Sequence, residues 1–244
     1  MPDQPGSGDD AMTRLVSEMR DLVRAMHQDQ PDGIKVPRVT EFAAAAVPGA
    51  QDAAISIITG DQSPVTIAAT SDLPLQVDKI QYETGEGPCL QALTNSDVVW
   101  SDDLSHDQQW PRFARRAVEA TGVRSMASFR LFLAEDRRGA LNFYSVESRA
   151  FDELAIGVGA LFASYASLAL LNDLHRERAM SLERALESNR EIGIAMGILM
   201  ARNLCTQDQA FDMLRTASQH TQRKLRDIAA QVRETGSLPD LRDP

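Results

Sequence analysis

Cysteine is scarce: Cys89 and Cys205 are the only two in 244 residues, and they fall in different predicted halves of the chain. Neither a disulfide framework nor a thiolate metal site follows from such a pair. His27, His106, His175 and His220 stand apart with no ligand spacing, so no metal and no cofactor are expected. Aromatic residues make up 5% of the chain, and no platform for stacking bases stands out. No glycine-rich phosphate cradle is present. No window reads as holding the roughly eighteen apolar residues of a membrane span, and no signal peptide precedes the first helix. The expectation is a cytoplasmic chain with no membrane partner. Positive charge is in deficit, with a net charge of −10, which argues against whole-molecule attraction to nucleic acid or anionic lipid.

What is present is an ordinary globular composition, 43% hydrophobic and 25% charged, enough for one large or two modest domains. Its longest feature is a proline-free run from Asp152 to Asn203 that reads as one helix. Apolar or small residues recur three or four apart at Leu154, Val158, Leu161, Tyr165, Leu168 and Leu171, then at Leu182 and Ala185 and, seven residues on across Asn189, at Ile192, Met196 and Leu199. That spacing is the seam by which one helix meets another. Between Leu168 and His175 the alternation is interrupted by a stammer. There the seam turns polar through His175 and Arg178, and Asn189 occupies a later core slot, where it can fix register and oligomer state. The reading is a dimeric connector with Leu171, Leu182, Ala185 and Asn189 on the dimer seam.

Around this run the chain reads in blocks. Residues 1–10 are a tail rich in Pro, Gly, Ser and Asp, and 11–28 form an amphipathic helix on Met12, Leu15, Met19, Leu22 and Met26. A loop to Pro37 precedes an alanine-rich helical piece, Glu41–Val47. Two β-branched runs, 53–59 and 65–70, form a hairpin across Gly60–Pro64. Ser71–Pro74 reads as a turn into an irregular stretch with a helical turn at Leu90 and Leu93 and a strand at 98–100. A helix from Pro111 to Thr121 closes at Gly122. Strands at 123–134 and 140–146 flank a turn at Asp136–Gly139, with Phe129, Leu131 and Leu133 on one face. The order predicts an α+β fold: an antiparallel sheet with flanking helices, followed by the long coiled-coil linker helix and a C-terminal three-helix bundle. In that bundle Thr206 and Gln209 form a capping box for a helix burying Ala210, Phe211, Leu214 and Ala217. A last helix from Gln222 to Arg233 buries Leu225, Ile228, Ala229 and Val232 and stops at Gly236. The end of the long helix supplies the third wall, and 237–244 is a tail.

Three separated blocks carry a resemblance. Asn189-Arg190-Glu191-Ile192-Gly193-Ile194-Ala195-Met196-Gly197-Ile198-Leu199-Met200, then Gln209-Ala210-Phe211, then Gln222-Arg223-Lys224-Leu225-Arg226-Asp227-Ile228-Ala229, resemble the ANTAR domain over 181–236. That family implies an RNA-binding output module of transcription antitermination regulators. The chain departs from it at Met196, where a lysine is usual, and in the placement of Arg190. The preceding region, 36–172, is similar to a GAF-like sensor domain. The blocks that match are Gly85-Glu86-Gly87-Pro88-Cys89, Trp110-Pro111-Arg112-Phe113, Gly122-Val123-Arg124-Ser125 and Gly139-Ala140-Leu141-Asn142-Phe143-Tyr144.

The resemblance implies a signal-responsive antitermination regulator that binds paired stem-loops of nascent RNA, and the seam of the long helix adds the expectation of a homodimer. Arg190, Arg215, Gln222, Arg223, Lys224 and Arg226 are the expected contacts, a local cationic face inside an acidic protein. The rival reading is a DNA-binding or protein-docking helical regulator, since the last helix offers Arg223, Lys224 and Arg226 to a major groove. A pocket for a small-molecule or protein signal is expected between sheet and insert, near Cys89, Phe129, Leu131, Leu141 and Phe143. Cys89 at a helix start invites a lowered thiol pKa, although a packed cysteine is the commoner use. Asp102, Asp103, His106 and Asp107 share one polar loop that reads as a solvated turn. No residue is expected to be catalytic, and the chain does not read as an enzyme.

Overall fold

The computed structural model describes residues 35–133 and 136–239, together with Ser17 and Arg20. The expected helix at 11–28 lies outside the described residues apart from Ser17 and Arg20, which are both helical. The chain divides after Leu174 into two compact units.

In the first unit, α1 (Val36–Ala46) starts earlier than the alanine run suggests, because Pro37 sits in its first turn, where no N–H is needed. Strands β1 (Asp52–Thr59) and β2 (Val65–Ala69) form the expected hairpin, with an irregularity in register between Ile55 and Ser56. The stretch after Ser71 is not irregular. It is α2 (Asp72–Thr84), whose first turn is capped by the Ser71 hydroxyl accepting from the Leu73 N–H. Pro74 is one of its buried residues, a proline tolerated near a helix start rather than a turn signal. Then come α3 (Pro88–Thr94), β3 (Val98–Ser101), a 3₁₀ turn at Leu104–His106, and α4 (Pro111–Thr121), closed by Gly122 in the left-handed region. Strands β4 (Ser125–Leu131) and β5 (Arg137–Ser145) complete the sheet. β5 begins inside the stretch expected to be a turn, because Arg137, Arg138 and Gly139 pair with Thr59, Ile58 and Ile57.

The five strands run in the order β2-β1-β5-β4-β3, each pair antiparallel. Side chains alternate across the sheet. One face carries Ala53, Ile55, Phe129, Leu131, Leu141 and Phe143 against α1 and the first part of α5 (Glu153–Asn203). The other face carries Ala54, Met126, Ala140 and Tyr144 beneath α2, α3 and α4. Ala155, Val158, Gly159, Phe162, Ala163 and Ala166 of α5 are buried, while Leu154, Leu161 and Leu168 are exposed. Alanines together with Val158 and Phe162 thus face the sheet, while three leucines face outward. The exposed positions 154, 157, 161, 164 and 168, continued by half-buried Leu171, keep a regular three–four alternation. The stammer expected between Leu168 and His175 does not occur, since the steps 168–171–175 are three and four residues; of the expected seam, Val158 is buried in the core and Tyr165 packs against it.

Part of α5 passes by length and composition as a membrane span, with an 18-residue window of mean hydropathy 2.0, contrary to the expectation from the sequence. Half of that window is buried inside the protein, as befits a core helix of the sheet.

The second unit holds the end of α5, then α6 (Gln207–Thr221) and α7 (Leu225–Thr235). The core is Ala195 and Leu199 of α5, Ala210, Leu214 and Ala217 of α6, and Ile228, Ala229 and Val232 of α7. Thr206 and Gln209 exchange both bonds of the capping box. Gln222 ends α6 with a φ of 52°, so Gln222, Arg223 and Lys224 form a connection rather than the start of the last helix. Phe211 is exposed rather than inward, and a Cβ on Gly197 would meet nothing within 4 Å.

Candidate functional site

The pocket expected near Cys89 is split by the sheet. Phe129, Leu131, Leu141 and Phe143 lie on the α5 face, with Phe129 and Phe143 packed edge to face at 5.7 Å, while Cys89 lies in the opposite core. Period-two alternation is the reason: Leu141 and Phe143 point one way, Asn142 and Tyr144 the other.

On the Cys89 side is a buried polar cluster that sequence reasoning missed. Asp78 of α2 is fully buried. Its Oδ1 accepts from the Tyr144 hydroxyl at 2.6 Å and from Gln81 Nε2 at 3.0 Å. Its Oδ2 lies 3.0 Å from Ser56 Oγ and 2.8 Å from Thr66 Oγ1. Tyr82 OH is 2.9 Å from Ser56 Oγ and 3.0 Å from Thr66 Oγ1. Asn142 Nδ2 reaches Ser56 Oγ and Cys89 Sγ, each at 3.2 Å. Burial, only partly offset by these hydrogen bonds, raises the Asp78 pKa above its ordinary value. Burial likewise pushes the Cys89 thiol up, with Asp78 adding to the effect. A helix-start cysteine with an activated thiolate is therefore not what forms here.

The glycine motif frames this cluster. Gly87 has a φ of 135°, and a Cβ there would stand 2.2 Å from Gln81 Oε1. That oxygen accepts the Cys89 N–H at 2.9 Å, which fixes the Gln81 amide with its nitrogen toward Asp78. Glu86 turns outward and accepts from the N–H groups of Arg112 and Phe113 at 2.9 and 3.2 Å, satisfying the open first turn of α4. Arg112 Nε adds a 2.6 Å contact to the same carboxylate. These donors, Arg112 foremost, hold the Glu86 carboxyl below its usual range. The Gly85–Cys89 and Trp110–Phe113 blocks are thus one interlocked unit.

Asp103 in the polar loop is clamped by Arg124, Nε at 3.0 Å and Nη2 at 2.6 Å. That partner, with the Ser105 hydroxyl and N–H, lowers the Asp103 pKa. Around it lies an open basin of about 730 Å³ lined by Asp102, Asp103, His106, Asp107 and neighbouring polar groups.

The second unit inverts the charge of the whole. Between His175 and Pro244 stand eleven basic and ten acidic residues, a slight positive surplus in a chain of net charge −10. Arg190 and Arg226 line one groove of about 470 Å³ together with Arg184, Glu187, Glu191 and Asp227. Gln222, Arg223 and Lys224 are all exposed on the α6–α7 connection. Several of the cations already have neighbours: Arg215 with Asp212 at 2.7 Å, Arg226 with Asp227 at 3.3 Å, and Arg223 with the Gln231 amide oxygen at 2.7 Å. Arg233 is paired with Glu191 across α7 and α5. Exposed pairs of this kind contribute about 0–1 kcal/mol. The exposed Phe211 adds an aromatic face to this unit.

The seam residues also have defined places. Leu171 is half-buried at the end of the first unit, and Leu182, Ala185 and Asn189 are exposed in the second.

An antiparallel five-stranded sheet roofed by a helical insert, followed by a three-helix unit, is the architecture of a sensor joined to an output module. The GAF domain model matches residues 36–171 and the ANTAR domain model matches 180–232. The chain belongs to the GAF domain family, and with its ANTAR domain it is a signal-sensing regulator of the antiterminator type. No curated protein matches it. Among solved structures, the GAF domain from a phosphoenolpyruvate-protein phosphotransferase of Coxiella burnetii is similar at 16% identity and a TM-score of 0.52, covering 69% of this chain and 98% of that one. The corresponding Acinetobacter GAF domain is similar at 12% identity and a TM-score of 0.50, covering 68% of this chain and 98% of that one. The phytochrome photosensory core module of Stigmatella aurantiaca is similar at 11% identity and a TM-score of 0.51, covering 91% of this chain and 46% of that one. At these identities the likeness is one of fold.

Proposed function

We propose that the chain acts in the cytoplasm as a homodimeric antitermination regulator, binding paired stem-loops of nascent RNA through its ANTAR domain under control of its GAF domain. It works by binding, without catalysis. The observation that carries this reading is the charge inversion: an ANTAR domain with a surplus of exposed cations on a chain of net charge −10. Arg190, Arg215, Arg223, Lys224 and Arg226 offer phosphate contacts, Gln222 a neutral hydrogen-bonding group, and Phe211 a face on which an unpaired loop base can stack. Two weak contacts held in one dimer gain from effective concentration, so the GAF domain can regulate binding by altering pairing alone.

The test is a salt titration of binding to paired RNA stem-loops against duplex DNA of similar charge, using the full chain. Tighter binding to RNA is expected at every salt concentration. Changing Lys224 and Arg226 together to Ala should weaken RNA binding and flatten the log–log salt slope by about 1–2. Equal affinity for both nucleic acids leaves only generic electrostatics, and an unchanged slope in the double variant shows the proposed face to be wrong; either result refutes the reading.

A further inference from the structure

Four oxygens in the sensor interior form a closed ring: Asp78 Oδ2, Thr66 Oγ1, Tyr82 OH and Ser56 Oγ, with successive separations of 2.8, 3.0, 2.9 and 3.0 Å. Each separation is a hydrogen-bond distance and requires one hydrogen. The three hydroxyls bring three hydrogens to four contacts. None can be borrowed from outside. The Tyr144 hydroxyl hydrogen is directed at Asp78 Oδ1, as is Gln81 Nε2, and Asn142 Nδ2 donates to Ser56 Oγ, which leaves the Ser56 hydrogen free to serve the ring. An ionised Asp78 thus leaves one pair of oxygens facing each other at about 3 Å with no hydrogen between them. A hydrogen on Oδ2 removes the deficit. Asp78 then donates to Thr66, Thr66 to Tyr82, Tyr82 to Ser56, and Ser56 back to Asp78, each oxygen giving one bond and taking one within the ring.

We propose that Asp78 is held in the folded sensor as a neutral carboxylic acid whose hydrogen closes this ring, making the seating of α2 on the β1–β2 edge a proton-dependent latch. The groups facing the carboxyl agree with the count. Those that titrate are Tyr82 on α2, Tyr144 on β5 and Cys89 on α3, all acids, and the remainder, Ser56, Thr66, Gln81 and Asn142, are neutral. A carboxylate here has no cation to offset its desolvation, so burial favours the same neutral form. Loss of the proton breaks one ring contact and places a charge under α2. Both effects loosen the helix that carries Asp78, Gln81 and Tyr82, and with it the bond from Gln81 to the Cys89 N–H. The inference does not depend on what the ANTAR domain binds.

The experiment is a pH titration of the aspartate carboxyl carbons by NMR on the full, uniformly ¹³C-labelled chain. One carboxyl, absent from the Asp78→Asn spectrum, should titrate with a proton affinity at least tenfold above that of a free aspartate, whose pKa is about 3.9. Thr66→Val keeps a β-branched strand residue and decides the direction of the bond. If Thr66 accepts from the acid, the variant lowers the midpoint; if Thr66 donates to a carboxylate, the variant raises it. A raised midpoint in Thr66→Val overturns the ring. Should Asp78→Asn fail to fold, the wild-type spectrum still decides, because every aspartate titrating at or below the ordinary value overturns the proposal.

Discussion

Gly159 of α5 is the tightest point of the packing between that helix and the sheet. A Cβ built there would stand 2.5 Å from Phe129 Cζ and 2.6 Å from Cε2, against about 3.5–4.0 Å for carbon contact. The ring has nowhere to retreat, being 1% exposed and set edge to face on Phe143 at 5.7 Å. Gly159→Ala gains about 1 kcal/mol of helix propensity and incurs about 1–3 kcal/mol of overpacking. With a rigid aromatic as the obstacle the upper part of that range applies, so a net loss of about 1–2 kcal/mol is expected. Gly157 is the internal control. It lies on the same helix, exposed, with nothing within 4 Å of a built Cβ, so Gly157→Ala should gain about 1 kcal/mol. The assay is urea denaturation at fixed protein concentration followed by tryptophan fluorescence, since both tryptophans, Trp100 and Trp110, belong to the sensor unit. The two variants should differ by about 2–3 kcal/mol in opposite directions about wild type. Equal midpoints for both refute the close approach of α5 to Phe129. Adding Phe129→Leu to Gly159→Ala should recover part of the loss by making room for the new methyl.

Three further outcomes are expected. Leu182→Asp puts a charge on the exposed seam and should shift the protein toward monomer; an unchanged mass by light scattering at the same concentration counts against that seam. Thr206→Ala removes the hydroxyl of the capping box on α6 and should cost about 1 kcal/mol of ANTAR-domain stability by thermal circular dichroism. Asp103, whose pKa is lowered by Arg124, stabilises the fold above the unfolded value of about 3.9, and that contribution fades as pH falls toward the folded midpoint. Asp103→Asn should therefore be less stable than wild type near pH 7, and the difference should begin to shrink as pH falls below about 3.9; a difference that stays constant as pH falls refutes the clamp.

Local signals were the legible ones. The helix Pro111–Thr121 with its glycine stop, the Thr206–Gln209 box and the uninterrupted α5 are each written in neighbouring residues, and each formed where its signals lie. Helix α2 was obscured because Ser71-Asp72-Leu73-Pro74 has the composition of a turn, and the capping that makes it a helix start depends on Val77 and Ile80 finding a core further on. The interior cluster was hidden for another reason. Ser56, Thr66, Asp78, Tyr82 and Tyr144 come from β1, β2, α2 and β5, and no spacing rule joins them. A trace existed in the strands: Ser56 between Ile55 and Ile57, and Asn142 between Leu141 and Phe143, are polar residues with apolar neighbours on both sides. Alternation read strictly there puts Asn142 on the opposite face from Leu141 and Phe143, but which face Cys89 meets depends on where α3 packs, and no strand pattern records that.

The orientation of α5 bears on dimerisation more directly than its spacing does. A helix that served only its own sheet would bury its leucines and expose its alanines. Here Ala155, Ala163, Ala166 and Ala169 are buried beside Val158, Phe162 and Leu170, while Leu154, Leu161 and Leu168 stand 38, 54 and 60% exposed. Covering the open part of each leucine is worth on the order of 1 kcal/mol, so three from each of two copies offer about 6 kcal/mol. Association costs about 4–15 kcal/mol in lost freedom, so those leucines alone give at best a marginal dimer. Met180, Leu182 and Leu186, 44, 62 and 60% exposed, lie beyond Leu174 on the same helix and roughly double the apolar contribution. A dimer that needs apolar contacts on both sides of the unit boundary is sensitive to any change in α5 between them. The polar His175 and Arg178 stand at that interval, so a dimer of the proposed kind would pair most weakly there.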